Sequence, residues 1–338
     1  MTAGLFGYLL ESTGDATDRS REIEEILQQK GCCVLGIGEF FVSGVTMPAK
    51  STLMGLGEGS VLVLAPEVEE GETVRMGTCC RVENLSIAGS TEDLGRPASV
   101  GKRNGLGFVG DCTPKNRTPQ IKYGIASNLH IYNFSGAGLA LAGTGFSCDS
   151  SLAATNLRIH SCGVGIHIPY FSEYHKITNA LCTRNIYGCI NNGGNNVFTA
   201  CSFDGNKVGF LIDNSDKAAC NNSHGSAVAC TFNHSDSNLG IGIQVLGASH
   251  GYVFSGCQLF FSQIVVENSL GVQFVDFNCG KDEKITVRGG GMVRFSGCSF
   301  SKPPVVTIKE NPYVRWENCY YRSGEEVRLT DVLTEVEK

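Results

Sequence analysis

The sequence has little charge and no long apolar run. Of its 338 residues, 18% are Asp, Glu, Lys or Arg, the net charge is −6, and no segment is rich in Lys and Arg. A nucleic-acid partner would require such a basic segment, so this class of function is excluded. No apolar stretch approaches the ~18 residues of a membrane span, and the N-terminus lacks the basic and apolar regions of a secretion signal. We therefore expect a soluble protein made without a Sec signal, with no nucleic-acid and no membrane partner.

Proline is scarce, with 9 residues, whereas glycine is abundant, with 43, which is typical of a chain that turns often between regular strands. The 16 cysteines do not form the CxxC pairs of zinc sites or the framework of a small disulfide-rich protein. Most of them lie singly, about twenty residues apart. We expect them to be reduced and to pack as small buried apolar side chains, and we predict no metal site and no cofactor.

A repeat runs through most of the chain. One column of aromatic residues recurs at spacings of 20, 21 and 21: Phe254, Phe274, Phe295 and Trp316. A second column follows three residues later in each repeat: Cys257, Phe277, Cys298 and Cys319. Earlier segments such as NVFTACSFD, ATNLRIHSC and RVENLSIAG fit the same register. Short strands repeated every 20–30 residues predict a solenoid of about ten β-coils, and we assign residues 32–323 to this single all-β domain.

An asparagine precedes the inner column in several coils, at Asn84, Asn128, Asn156, Asn179 and Asn318. Asparagine tolerates the left-handed backbone of a tight bend, and its amide can bond the coils above and below. The pattern predicts a structural ladder at a bend.

The two ends of the chain differ from the repeat. Residues 1–31 are expected to hold a capping helix over 17–31, with Asp18 or Ser20 as its N-cap, an apolar face that includes Ile23 and Leu27, and Gly31 as its end. Such a helix would cover the open edge of the first coil. Residues 324–338 are acidic and carry an apolar stripe, so they form either a cap on the last coil or a contact with another subunit.

The segment GDATDRSREIEEILQQKGCCVLGIGEFFVSGVTMPAKSTLMGLGEGSVLVL, residues 14–64, resembles the first segment of pectate-lyase-like right-handed parallel β-helices. It has an Asp/Thr-rich turn before a capping helix, a Gly-rich turn followed by an aromatic residue, and an L-x-G-x-G turn at Leu53, Gly55 and Gly57. The nearest resemblance is to tailspike and tail-fibre proteins of phages and prophages. It implies a right-handed parallel β-helix, a homotrimer that contacts other phage tail proteins, and a place on the virion tail. If the protein is not phage-encoded, we expect it in the cytoplasm.

Two acidic residues could form a sugar-cleaving pair. Asp213 and Glu267 occupy equivalent places two coils apart, which would separate them by about 9.6 Å if they stack directly. Inverting glycosidases hold their carboxylates roughly 6.5–9.5 Å apart. The alternative is that both are chance acids on a solvated face. Asp204 and Asp216 in neighbouring turns are further candidates.

A second candidate site interrupts the regular coil at GIHIPYFSEYHK, residues 165–176. Aromatic faces bind the C–H faces of sugars, while polar groups fix hydroxyls. The predicted carbohydrate-binding residues are therefore His167, Tyr170, Glu173, Tyr174 and His175. The alternative is that these aromatics pack onto a neighbouring coil or a partner chain. Long polar turns at 191–196, 213–226 and 233–240, and an insertion at 90–119, could wall a glycan groove.

The sequence thus supports a tailspike-like protein that recognises bacterial surface polysaccharide, with depolymerisation of that polysaccharide left open. A stand-alone polysaccharide lyase, glycoside hydrolase or epimerase of the same fold is the first alternative, and a non-catalytic structural β-helix is the second. Whether the protein is an enzyme is left open, because this fold carries lyases, hydrolases, epimerases and binders.

Overall fold

Each coil of the chain contributes strands to two long sheets in which every ladder between coils is parallel. The computed structural model describes residues 8–337, except 114, 118–120, 216–222, 235–239, 281–282 and 311. Strand pairing between successive coils continues from one end of this range to the other, as expected for a right-handed parallel β-helix.

The elements of the first half, in chain order, are β1 (Tyr8–Leu10), α1 (Ser20–Lys30), β2 (Cys32–Leu35), β3 (Gly38–Val42), β4 (Val45–Thr46), β5 (Thr52–Gly55), β6 (Ser60–Leu64), β7 (Gly71–Arg75), β8 (Arg81–Ala88), β9 (Arg103–Gly107), β10 (Gly124–Tyr132), β11 (Ala137–Ala140), a 3₁₀ turn (Cys148–Ser150), β12 (Leu152–His160), β13 (Val164–Ile168), β14 (Lys176–Thr183) and β15 (Tyr187–Asn191). Those of the second half are β16 (Asn196–Thr199), β17 (Ser202–Asp204), β18 (Val208–Asp213), β19 (Gly225–Val228), β20 (Thr231–Asn233), β21 (Gly240–Leu246), β22 (Tyr252–Ser255), β23 (Gln258–Phe260), β24 (Ser262–Glu267), β25 (Leu270–Val275), β26 (Asn278–Cys279), β27 (Lys284–Arg288), β28 (Met292–Ser296), β29 (Ser299–Phe300), β30 (Val305–Lys309), β31 (Tyr313–Glu317), β32 (Tyr320–Tyr321), α2 (Leu329–Val332) and β33 (Leu333–Glu337).

Within the described residues, the second sheet has twelve strands, one from each coil, and it runs from β4 to β33. We number the coils 1 to 12 by these strands. The ten coils aligned from the sequence are coils 3 to 12, and the segment that resembles the start of a β-helix forms coils 1 and 2. The expected solenoid is therefore confirmed, and it begins earlier than the aligned repeats.

The first sheet is bent, because each coil turns sharply between two short arms. In coils 3 to 6 the bend lies inside one strand, at Asn84, Asn128, Asn156 and Asn179, whose φ angles lie between 52° and 56°. The later coils place Ala200, Ala229, Asp276 or Asn318 there with φ of 50–53°, or a glycine. The left-handed bend predicted from the asparagines is confirmed.

The strand register confirms the predicted inner columns. Phe254, Phe274, Phe295 and Trp316 are successive Cα partners on neighbouring strands. The rings of Phe254 and Phe274 stack with centroids 5.2 Å apart, and those of Phe274 and Phe295 with centroids 4.8 Å apart. Like side chains thus fill the interior one coil above another.

Cysteines occupy the same interior. The backbone N–H of Cys201 donates to the thiol of Cys230 at 3.4 Å, and that of Cys230 to the thiol of Cys257 at the same distance. All three side chains are buried. Burial also raises the pKa of the Cys162 thiol to about 12 and that of Cys189 well above its usual value. These cysteines therefore pack as protonated, small apolar residues.

Helix α1 covers the first coil. Ile23 and Leu27 are buried in the core, and the N–H of Gly31, at φ 71°, bonds the carbonyl of Leu27. The predicted helix and its end are confirmed, but Arg19 holds the N-cap position without a side-chain cap. Asp18 instead accepts hydrogen bonds from the backbone and hydroxyl of Ser20.

The C-terminal segment returns to the stack. Val327 and Val332 are buried, and the indole of Trp316 donates to the carbonyl of Val327 at 2.8 Å. Strand β33 then pairs with β30 as the last strand of the second sheet. This segment therefore lies on the final coil.

Candidate functional site

The asparagines of the bend form a hydrogen-bonded ladder on the outside of the helix. The amide of Asn128 donates to Asn84 at 2.9 Å, that of Asn156 to Asn128 at 2.9 Å, and that of Asn179 to Asn156 at 2.8 Å. Every amide in this run points the same way along the stack. The ladder thereby presents a line of polar groups across coils 3 to 6.

An open groove of about 530 Å³ lies along this ladder. One wall is the turn of coil 2 that carries Leu56 and Glu58, and the other includes Arg158 and Leu181. Leu56 and Leu181 are exposed, at 60% and 38%. Amides, one cation, one anion and two exposed apolar side chains thus line a single concave surface.

A histidine pair lies beside the groove on neighbouring strands. His130 and Arg158 project outward from the same position of β10 and β12, and Tyr132 and His160 from the next outward position. The Nε2 atoms of the two histidines are 2.8 Å apart. The ring of Tyr132 stacks on that of His160, with centroids 5.4 Å apart and planes inclined by 10°.

The proton positions in this cluster follow from Arg158, which can only donate. Its Nη2 is 3.1 Å from Nδ1 of His130, which therefore accepts. Nε2–H of His130 then donates to Nε2 of His160, whose Nδ1–H lies 3.2 Å from the hydroxyl of Ser161. These roles are assigned from the network.

Both histidines are neutral near pH 7. Burial, with the positive charge of Arg158 and the neighbouring His160, lowers the pKa of His130 to about 4. Burial and the nearby Arg158 and Arg184 also lower the pKa of His160. The acceptor nitrogens of both imidazoles are already bonded and both pKa values are lowered, so the pair is a weak general base near pH 7.

This cluster is absent from the sequence-predicted site residues. Its signal was present in the segments NLHIY and NLRIH, where the residues between the inner positions are His130, Tyr132, Arg158 and His160. Residues that alternate with inward positions on a strand must face outward. Histidine, arginine and tyrosine at two consecutive outward positions of adjacent coils were therefore the sequence pattern that indicated this cluster.

The predicted acid pair lies on the other sheet. Asp213, Leu246 and Glu267 are successive Cα partners at the ends of β18, β21 and β24, so the acids are two strands apart in one column. The carboxylate of Asp213 accepts hydrogen bonds from the backbone and hydroxyl of Ser215, at 3.0 and 2.5 Å. Asp204 ends β17, and Asp216 lies outside the described residues.

The predicted sugar-binding residues of 165–176 do not converge on one surface. His175 is fully buried: its Nδ1 accepts from the N–H of Leu152 at 3.0 Å and its Nε2 lies 3.2 Å from the hydroxyl of Thr144. Burial lowers its pKa to about 3. Glu173 is also buried and accepts a hydrogen bond from Asn195 at 2.9 Å. Both side chains hold neighbouring coils together and are closed to a ligand.

The other three residues of that segment are less enclosed. His167 lies on the outer side of the second sheet between Ala140 and Ile190, and burial lowers its pKa. Tyr170 packs against Phe146 and Phe171, with ring centroids 6.0 and 3.9 Å away. Tyr174 is half-buried at φ 65°.

Most of the predicted turns 213–226 and 233–240 lies outside the described residues, at 216–222 and 235–239. Their described ends belong to different connections: β18 of the second sheet precedes the first of these turns and β19 of the first sheet follows it, whereas β20 of the first sheet precedes the other and β21 of the second sheet follows it. The predicted insertion at 90–119 contains strand β9. Its first part, 90–102, passes beside the histidine cluster, where the amide of Asn133 donates to the carbonyls of Ser90 and Glu92.

Among the residues that the structure describes, no three His, Cys, Asp or Glu side chains are grouped so that they could hold a metal ion. In the same part of the chain, no helix has both the length and the apolar character needed to cross a bilayer.

No protein-family model matches the sequence, and no curated protein matches it. Solved structures match in fold. The DFA-IIIase from Arthrobacter chlorophenolicus A6 gives a TM-score of 0.59 at 11% identity, covering 98% of this chain and 97% of that one. The mannuronan C-5 epimerase AlgE4 A-module from Azotobacter vinelandii gives 0.57 at 12% identity, covering 96% and 97%. Tailspike protein 2 of the Escherichia coli O157:H7 bacteriophage CAB120 gives 0.54 at 13% identity; 88% of this chain is covered, and it spans 41% of that tailspike. The predicted right-handed parallel β-helix fold is thereby confirmed.

Proposed function

We propose that this chain recognises a bacterial surface polysaccharide, as a tailspike- or tail-fibre-like protein of a phage or prophage. The observation that carries the proposal is the groove along the asparagine ladder, which combines amides, Arg158 and Glu58 with exposed leucines. Sugars offer hydroxyls and apolar C–H faces, and a binding surface for them needs both kinds of partner.

The fold adds support of a general kind. The solved structures that share this β-helix fold include a phage tailspike and a mannuronan C-5 epimerase module. A rigid stack also keeps the groove preformed, because its floor is hydrogen-bonded from coil to coil. Preformed surfaces lose less entropy when a ligand binds.

Binding to immobilised polysaccharides from a panel of bacterial surfaces tests the proposal. Leu181→Trp places a bulky ring in the groove, and we expect it to weaken binding at least tenfold. Val228→Trp is the matched control, because Val228 is equally exposed, at 38%, on the same sheet outside the groove. Equal binding by both variants would refute the groove as the site, and no binding by the wild-type protein would favour a purely structural β-helix.

A stand-alone enzyme is the second candidate. The observation that favours it is coverage, since the chain spans 97% of each of two matched chains, including the epimerase module, but 41% of the tailspike. If this enzyme cleaves its polysaccharide, Asp213 and Glu267 act as the two catalytic carboxylates. Asp213→Asn and Glu267→Gln would then each abolish depolymerisation and leave binding intact. Unchanged depolymerisation in both variants would exclude the two residues as catalytic.

We further propose that the chain assembles as a homotrimer and contacts other tail proteins. This rests on the resemblance to tailspikes. Light scattering should give three times the mass of the 36.1 kDa chain, and a monomer would contradict the tail role.

A further inference from the structure

One ion pair spans the groove over three coils. Glu58 lies in the turn between β5 and β6 of coil 2, and Arg158 lies in β12 of coil 5. Oε2 of Glu58 is 3.2 Å from Nη2 of Arg158. The outward positions between them, in the same column, are Ser86 and His130. Arg158 therefore reaches back across His130 to meet Glu58.

The pair is exposed and therefore weak. The side chain of Glu58 is 62% exposed and that of Arg158 is 48% exposed. Ion pairs of this kind contribute about 0–1 kcal/mol. An incoming anion can thus take the place of Glu58 at little cost, provided that other contacts in the groove add to its binding.

The guanidinium of Arg158 has unused donors. Its hydrogen bonds to Glu58 and His130 all run through Nη2, which leaves Nε and Nη1 without a protein partner among the described residues. A guanidinium binds a carboxylate best through two parallel N–H bonds. The group that now occupies the site is itself a carboxylate, so it stands in for the chemistry that the site fits.

On the basis of the proposed function, we propose that Arg158 anchors a sugar carboxylate, and that the polysaccharide is an acidic one whose carboxylate displaces Glu58. Glu58 is then a built-in competitor that keeps Arg158 extended along the groove when it is empty. The amides of Asn128 and Asn156 and the exposed Leu181 line the same groove for the remaining hydroxyls and C–H faces of the sugar. Glu58 lowers the affinity of the groove for an acidic glycan by competing with it, and Arg158 makes the groove prefer an acidic glycan to a neutral one.

The test compares each polysaccharide of the panel in its native form and after chemical reduction of its carboxyl groups to alcohols. We expect the native acidic form to bind, and carboxyl reduction or Arg158→Gln to weaken binding at least tenfold. Glu58→Gln removes the competitor without removing volume and should tighten binding about threefold. Arg21→Gln is the control, because Arg21 pairs with Glu25 on the exposed face of α1, away from the groove.

The outcomes separate the two proposals. Wild-type binding to only neutral polysaccharides, or equal binding to native and carboxyl-reduced forms, overturns the carboxylate anchor and leaves glycan recognition standing. Wild-type affinity in Arg158→Gln also overturns it. Absence of binding to every polysaccharide overturns the proposed function itself. Because Glu58→Gln predicts a gain, loss of fold in one variant cannot imitate the full pattern.

Discussion

Acidification is expected to destabilise the protein through His175. The folded chain holds this imidazole neutral, because it is buried and because Nδ1 already accepts the N–H of Leu152. Its pKa in the folded state is about 3, against an ordinary value of 6.5. Below pH 6.5 the imidazole of His175 therefore binds a proton in the unfolded chain but not in the folded chain. The free energy of unfolding consequently falls as the pH falls from 6.5 towards 3.

The magnitude follows from the pKa difference. One pH unit below the unfolded pKa costs about 1.4 kcal/mol for each group of this kind. At pH 5, which is 1.5 units below 6.5, His175 alone is expected to cost about 2 kcal/mol relative to pH 7. Restricting the comparison to pH 5–7 avoids most of the titration of carboxylates.

Urea unfolding followed by far-ultraviolet circular dichroism measures this effect. His175→Gln should be less stable than wild type at pH 7, and its loss of stability between pH 7 and 5 should be smaller by about 2 kcal/mol. His250→Gln is the control, because His250 is exposed. An unchanged pH dependence in His175→Gln would refute the assignment, and so would a specific loss of glycan binding with normal stability.

Three further changes test the scaffold. Asn128→Ala removes the ladder bonds to Asn84 and Asn156 and strains a backbone at φ 53°, so it should lower the free energy of unfolding in urea by about 2–3 kcal/mol. Asn128→Gly should lower it by only about 1 kcal/mol, because glycine adopts that φ without strain. Leu27→Ala in α1 should cost about 2–5 kcal/mol and raise aggregation measured by light scattering, while exposed Gln28→Ala changes neither. Phe274→Ala should cost about 3–5 kcal/mol in thermal or urea unfolding, because it empties the middle of the stacked ring column; a cost under 1 would contradict that packing.

The interior of the stack could be predicted because it repeats. Parallel strands place equivalent residues directly above one another, so each inward position must suit its two neighbours. The spacing of Phe254, Phe274 and Phe295 in the sequence therefore revealed their contact. The bend asparagines could be predicted for the same reason, since every coil turns at that point.

The outer face carries no such constraint. The column of Ser86, His130, Arg158 and Leu181 has no common chemistry, so nothing in its spacing marks it as a site. The partner of Arg158 comes from a turn 100 residues earlier, and only the folded stack brings it near.

Segment 165–176 shows a different difficulty. Side-chain direction alternates along a regular strand, but Phe171 and Tyr174 have φ of 64° and 65°, and each left-handed residue interrupts that alternation. Counting along the sequence therefore could not tell that Glu173 and His175 turn inward.

The parallel pairing between coils also allows a β-helix of this kind to change its length during evolution. Each coil pairs its strands with the coil before and the coil after, and successive late coils differ by 21 residues, from Phe277 to Cys298 and from Cys298 to Cys319. Duplication of one such unit would lengthen the stack by about 4.8 Å while keeping every backbone partner of the same kind. The groove across coils 2 to 6 would be untouched. The length of the stack and the residues that line the groove can therefore evolve as separate traits.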